Sequence, residues 1–180
     1  MDTVFDVAIV GGGIIGAAAA YKIQKAYPDI KVLVLEKEDQ LAPHQTGNNS
    51  GVIHSGLYYK PGSKKAKNCF HGRHEIVAFA KEHNVAHDVC GKVVVATDEA
   101  ELPHMDKIFA NGLENQIEGI EKIFAEQVEE IEPFVKSIGG IWVPCTGIID
   151  FVGVTKKLAE IVAGLNSESL VLTSHKVLGF

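Results

Sequence analysis

The chain has 180 residues, 46% of them hydrophobic, and a net charge of −6 from 23 acidic and 17 basic side chains. That composition supports a packed core and excludes a disordered chain; with no basic block it also argues against nucleic-acid binding. Three widely spaced cysteines, Cys69, Cys90 and Cys145, with no C-x-x-C pair, suit a reducing compartment and supply neither a disulfide framework nor a zinc site. Cytoplasm is the expected location. Asp2 and Asp6 stand where a leader peptide would carry positive charge, and glycines interrupt the apolar start. No unbroken run of about 18 apolar residues predicts a membrane span, while peripheral membrane contact stays open.

Val4 to Val10 predicts a β-branched strand, Ile14 to Tyr27 a helix closed by Pro28, and Ile30 to Leu35 a second, buried strand. Between the first strand and the helix, Gly11, Gly13 and Gly16 form G-x-G-x-x-G. The first glycine permits a sharp turn, the second lets backbone approach a pyrophosphate, and the third lets helix and strand pack closely. The helix start then points unpaired N–H groups at the phosphate. Glu36 follows Gly16 by 20 residues, the place for a carboxylate that accepts hydrogen bonds from ribose hydroxyls and repels a 2′-phosphate. The pattern is that of a dinucleotide site, with NADP disfavoured.

Residues 37 to 60 show little periodicity and are rich in Gly, Asn, Ser and His. A long irregular stretch in a compact domain is functional or disordered, and Val52, Ile53, Leu57, Tyr58 and Tyr59 are costly to leave exposed. Ser63 is placed to cap a helix from Lys64 to His83. A strand is expected over Val89 to Ala96, then a helix from about Glu99 to Asn115 capped by Thr97 or Asp98. A short strand and a short acidic helix, Glu126 to Glu132, lead to Pro133; another strand covers Gly139 to Pro144 and buries Trp142. Asp150 opens an amphipathic helix, Phe151 to Ala163, and Leu170 to Thr173 is a last strand; both read as a return to the first sheet. His71 with His74, and His83 with His87, have helical spacing but no completing ligand set, so no metal is assigned. Cys69 reads as helix core, and Cys90 as packed beside a bend at Gly91.

The strings Asn49-Ser50-Gly51-Val52-Ile53-His54-Ser55-Gly56-Leu57-Tyr58-Tyr59, Pro61-Gly62-Ser63, Cys90-Gly91-Lys92 and Thr146-Gly147-Ile148-Ile149-Asp150 occur in that order. Together with the glycine loop they resemble the FAD-dependent L-2-hydroxyglutarate oxidases and dehydrogenases of the D-amino-acid-oxidase-like flavoprotein superfamily. The resemblance implies an α/β fold: a Rossmann-like FAD-binding domain with the beginning of an interleaved α+β substrate domain. The FAD-binding parts would be residues 1–89 and 148–180, with 90–147 starting the substrate domain. It further implies oxidation of an L-2-hydroxy acid, L-2-hydroxyglutarate to 2-oxoglutarate, with hydride passing to flavin N5.

By the same resemblance Gly11, Gly13, Gly16 and Glu36 hold the ADP half of FAD, and Thr46, Asn49, Ser50 and Gly51 lie along the pyrophosphate and flavin. The backbone of Val177 would meet adenine. His54 is the catalytic candidate, because imidazole can accept the hydroxyl proton as hydride leaves; covalent attachment of flavin to a histidine in a related loop is the other role known among such proteins. The electron acceptor would be oxygen, a quinone or an electron-transfer protein. Oxidation of glycerol 3-phosphate is the rival activity within the class, although Arg73 is the sole arginine available for a phosphate. A non-catalytic nucleotide-binding module is the reading outside it. The apolar ending Val177-Leu178-Gly179-Phe180 leads us to expect a fragment, about half of a full enzyme, that binds FAD weakly and does not turn over alone.

Overall fold

A computed structural model describes residues 4–179; Asp2 and Phe180 lie outside them. The elements in chain order are β1 (Val7–Val10), α1 (Ile14–Ala26), β2 (Val32–Leu35), β3 (Val52–Ile53), α2 (Lys64–Glu82), β4 (His87–Asp88), β5 (Val93–Ala96), α3 (Leu102–Glu114), β6 (Glu121–Ile123), α4 (Ala125–Ile131), β7 (Gly139–Trp142), β8 (Gly147–Ile149), α5 (Phe151–Leu165) and β9 (Leu170–Leu172). They divide into two compact units.

The first unit runs to Gly51, takes in His83–Ala86 and resumes at Asp150. Its sheet is parallel, in the order β1-β2-β9, with Val7 opposite Val32 and Leu33 opposite Leu170. That is the 3-2-1 order of a mononucleotide-binding half, in which each parallel step needs a crossover helix. Here α1 is the crossover between β1 and β2, and α5 precedes β9 and packs on α1. Ala20, Val32, Val34 and Val162 are buried together, so the alanines of α1 serve to bring the helices close. Asp150 starts α5 by accepting a hydrogen bond from the Gly153 N–H at 2.9 Å.

One polar group sits inside this core. Gln24 is fully buried; its Nε2 donates to the carbonyls of Pro28 and Ile30 at 3.0 and 3.1 Å, and its Oε1 accepts from the Ser169 hydroxyl at 2.6 Å. Ser169 Oγ in turn accepts from the Val32 N–H. The Asn166 amide donates to the same two carbonyls at 3.1 and 2.9 Å, so the α1–β2 connection is tied to the start of β9 through two amides, and loss of Gln24 would strand the buried Ser169 hydroxyl.

The second unit comprises residues 52–82 and 87–149. It contains two antiparallel three-stranded sheets, β3-β8-β4 and β5-β7-β6. Leu57, Ala96, Met105, Ile108, Ile141 and Val143 form its core. The expected strand from Val89 starts only at Val93, because Gly91 turns the chain with φ +81 and lies against the Trp142 ring. A side chain at Gly91 would collide with that ring. Trp142 is only half-buried, and Cys90 is exposed, not packed. The expected helix from Glu99 begins as a 3-10 turn over Glu99–Glu101, with the Ala100 N–H donating to Asp98, and becomes α-helical at Leu102. The acidic helix spans Ala125–Ile131, buries Val128 and turns Glu126, Glu129 and Glu130 outward. Among the described residues no helix is long and apolar enough to cross a membrane.

Candidate functional site

In the first unit, Gly11 follows β1 with φ +110, a backbone region that side-chain-bearing residues seldom adopt. Nothing lies within 4 Å of where its Cβ would be. At Gly16 the reverse holds: a Cβ would collide with the Gly11 carbonyl oxygen, so a side chain there would push the helix off the strand. Beneath this turn is a cleft of about 580 Å³ lined by Gly11, Gly13, Ile15, Gly16, Glu36 and Thr46 among others, within the range of ligand sites. Ile15 is 81% exposed at its edge.

Glu36 is buried at the end of β2, and both of its carboxylate oxygens are engaged. Oε2 accepts from the Gly12 N–H at 2.7 Å and Oε1 from the Glu38 N–H at 3.0 Å. Burial works to raise its pKa, but hydrogen bonds from the Glu38, Gly12 and Lys37 backbone outweigh it and hold the carboxyl below the ordinary value. Glu36 is thus an ionised acceptor at neutral pH that also staples the glycine turn, a second task the motif does not announce. The tail after β9 runs beside it, with His175 N–H donating to the Glu36 carbonyl at 2.8 Å and Ser174 N–H to that of Glu38 at 2.6 Å. Val177 follows in half-buried irregular chain.

Thr46 is brought to the same turn. Its Oγ1 accepts from the Ile14 N–H at 3.1 Å and therefore caps the first turn of α1 from a distant loop. Asn49 folds back on its own loop, donating to the Thr46 carbonyl and accepting from the Gly51 N–H at 2.6 Å. Ser50 is exposed, and Gly51 has φ +68.

His54, Ser55, Tyr58 and Tyr59 belong to the second unit. The β3 strand that leads to His54 pairs with β8, placing Val52 opposite Ile148 and Ile53 opposite Gly147. Two strings separated by some ninety residues of sequence are therefore neighbours. His54 is exposed, while the residues around it anchor the loop: Ile53 and Leu57 are buried, and Ser55 is buried with no partner for its hydroxyl. The Thr146 hydroxyl, at the start of β8, is likewise buried and unpartnered. Tyr58 does not pack inward; it is 56% exposed with the Lys92 ammonium 4.7 Å from its ring centre. Tyr59 is half-buried beneath Lys65.

Arg73, in α2, is buried with its guanidinium 2.6 Å from Glu118, which also meets His74 at 3.2 Å. Burial opposes ionisation of Glu118, but the Arg73 hydrogen bond wins and holds its pKa low. Neither Glu118 nor Asn115, whose amide reaches the loop after His54, carried any signal in the sequence.

A profile of FAD dependent oxidoreductases, the DAO family, matches residues 6–170. The chain belongs to that family. Proteins similar to it include L-2-hydroxyglutarate dehydrogenase of Indibacter alkaliphilus, 48% identical over 174 residues, or 97% of this chain and 43% of that protein. Mitochondrial L-2-hydroxyglutarate dehydrogenase of Homo sapiens is 41% identical over 156 residues, 87% of this chain and 34% of that protein. The chain thus spans less than half the length of these relatives. Among solved structures, L-alpha-glycerophosphate oxidase from Mycoplasma pneumoniae, with FAD bound, superposes with a TM-score of 0.88 at 29% identity, covering 97% of this chain and 46% of that one. Glycine oxidase from Geobacillus kaustophilus shares the fold, with a TM-score of 0.81 at 21% identity over 94% of this chain and 46% of that one.

FAD is the family's cofactor, and the residues present fit its ADP half: the turn at Gly11 leaves open space where a side chain would stand, and an ionised carboxylate lies at the end of β2 beside the cleft.

Proposed function

We propose that this chain provides the FAD-binding loop and the histidine loop of an oxidoreductase acting on a CH–OH carbon, oxidising L-2-hydroxyglutarate to 2-oxoglutarate. The observation that carries this is 48% identity, over 97% of the chain, to a protein named L-2-hydroxyglutarate dehydrogenase. FAD, when bound, supplies the hydride acceptor for the substrate C2 hydrogen. The chain's own residues do the rest. Gly11, Gly13 and Gly16 admit the pyrophosphate to the N-terminus of α1, and the free lone pairs of Glu36 accept ribose hydroxyls. Thr46, Asn49, Ser50 and Gly51 give a path of small residues along the cofactor, and the Val177 backbone receives adenine. His54 takes the hydroxyl proton as the substrate is oxidised, its exposed imidazole being open to a substrate.

We assign FAD binding to residues 1–89 and 148–180 and the start of a substrate domain to 90–147; pairing of β9 with β2 supports the return. The compact units divide differently, grouping 52–82 with 87–149. Three free cysteines suit a reducing compartment such as the cytoplasm, with peripheral membrane contact compatible with a quinone acceptor.

Glycerol 3-phosphate oxidation is the second reading, favoured by the TM-score of 0.88 to a glycerophosphate oxidase. Against it, Arg73 is buried and committed to Glu118, so it is not offered to a phosphate. The test supplies the chain with FAD and with the polypeptide corresponding to the remainder of the Indibacter relative, then adds each substrate without oxygen. Bleaching of the flavin absorbance by L-2-hydroxyglutarate is the expected result. Bleaching by glycerol 3-phosphate alone would move the assignment to the second reading, and a bound flavin that neither substrate reduces would leave a nucleotide-binding module.

A further inference from the structure

We propose that Asn115 and Cys69 are positioning residues for His54, holding the backbone of its loop through hydrogen bonds from two helices, an inference that rests on the proton-accepting role proposed for His54. Asn115 closes α3, and its side-chain Nδ2 donates to the Gly56 carbonyl at 3.2 Å and the Tyr59 carbonyl at 2.8 Å. Cys69, one turn into α2, donates its thiol to the carbonyl of His54 itself at 3.1 Å. Within the loop the Tyr59 N–H bonds the Gly56 carbonyl at 3.0 Å, and Leu57, 1% exposed, plugs it into the core.

The side-chain chemistry suits the task. One amide nitrogen offers two N–H donors, and two carbonyls a turn apart consume both. An aspartate in that place would present lone pairs to lone pairs. Burial pushes the Cys69 thiol up, so at neutral pH it keeps the hydrogen that it donates. Gly56, with φ +88, brings the backbone against Cys69, where a Cβ would already be at 3.5 Å from the sulfur. The His54 side chain is exposed, so its placement is inherited from the backbone that carries it. Asn115 and Cys69 bond that backbone at and just after His54.

The experiment follows the imidazole signals of the chain by NMR across pH, His54 being assigned by its loss in His54→Gln. In Asn115→Asp and in Cys69→Ala the His54 signal is expected to shift by more than its line width and to broaden, while those of the other seven of the eight histidines hold. Cys69→Ser, which restores a donor, is expected to return it to its native position. A cooperative thermal transition in each variant separates a loosened loop from a lost fold; should Asn115→Asp fail to fold, the Cys69→Ala and Cys69→Ser pair decides. An unmoved His54 signal in folded Cys69→Ala, or no return in Cys69→Ser, overturns the proposal. Flavin reduction by L-2-hydroxyglutarate in His54→Gln, measured in the complemented enzyme, isolates the premise: an undiminished rate removes the catalytic role of His54, whereas the NMR signal reports the attachment of its loop independently.

Discussion

Between Gly11 and Gly16 the backbone takes its shape from the first 46 residues: a helix start that needs no side chain at Gly16, a carboxylate on Gly12, and a threonine hydroxyl on Ile14. Between His54 and Tyr59 the shape comes from Cys69, from Asn115 and, through β3, from residues near 147. Both are irregular turns after short strands, and both carry the groups that the proposed function needs. The difference lies in how far along the chain each one's determinants are found. A turn whose constraints are local can be recognised by its spacing, because the chemistry dictates the intervals. A turn held from remote elements has no spacing of its own, and only its resemblance to other proteins marks it.

The largest test of that contrast is Gly16→Val. Its side chain would meet the Gly11 carbonyl, a backbone atom that cannot swing aside, so we expect a loss of about 3 kcal/mol in urea unfolding together with loss of FAD binding. A change below about 1 kcal/mol would show that the turn is not closely packed.

These particulars also explain what the sequence made legible. The strand, glycine turn, helix and Glu36 were visible because each obeys a short-range rule, and α5 was visible through its apolar period. The two-residue strands β3 and β4 were not, since two residues have no period. The burial of Arg73 was not legible either, because the carboxylate that lets it be buried lies 45 residues away. Gln24 reads as an ordinary polar helix position, yet its partner Ser169 is 145 residues on. Even the locally specified unit therefore contains a long-range tie.

Gln24→Leu breaks that tie. It leaves the buried Ser169 hydroxyl without its acceptor, while Asn166 still donates to the Pro28 and Ile30 carbonyls, and we expect a cost of about 2 kcal/mol, read by denaturant unfolding; adding Ser169→Ala should deepen the loss, because the buried Val32 N–H then has no acceptor. Glu36→Gln is expected to cost about 1–2 kcal/mol, because an amide keeps one acceptor oxygen and sets its NH2 against the N–H of either Gly12 or Glu38. The pH dependence has a definite sign. Glu36 has a lowered pKa when folded, so its contribution is present above the ordinary carboxylate value of 4.5 and is lost as pH falls through the folded value. Glu36→Gln should flatten that acid limb and leave stability between pH 6 and 8 parallel to the parent; an unchanged limb would contradict the staple. The smallest effect is expected for Asn115→Ala, about 1 kcal/mol globally, with faster amide exchange confined to the 54–59 loop.

The central claim is that the glycine loop with Glu36 binds the ADP half of FAD, and amide NMR of the chain titrated with ADP and then with FAD tests it most directly, since it detects even weak binding. We predict saturable shifts of the amides at Gly11 to Gly16 and near Glu36 and Thr46, the same with both ligands and much reduced in Glu36→Gln. Shifts confined to other parts of the chain, or undiminished in Glu36→Gln, would contradict it.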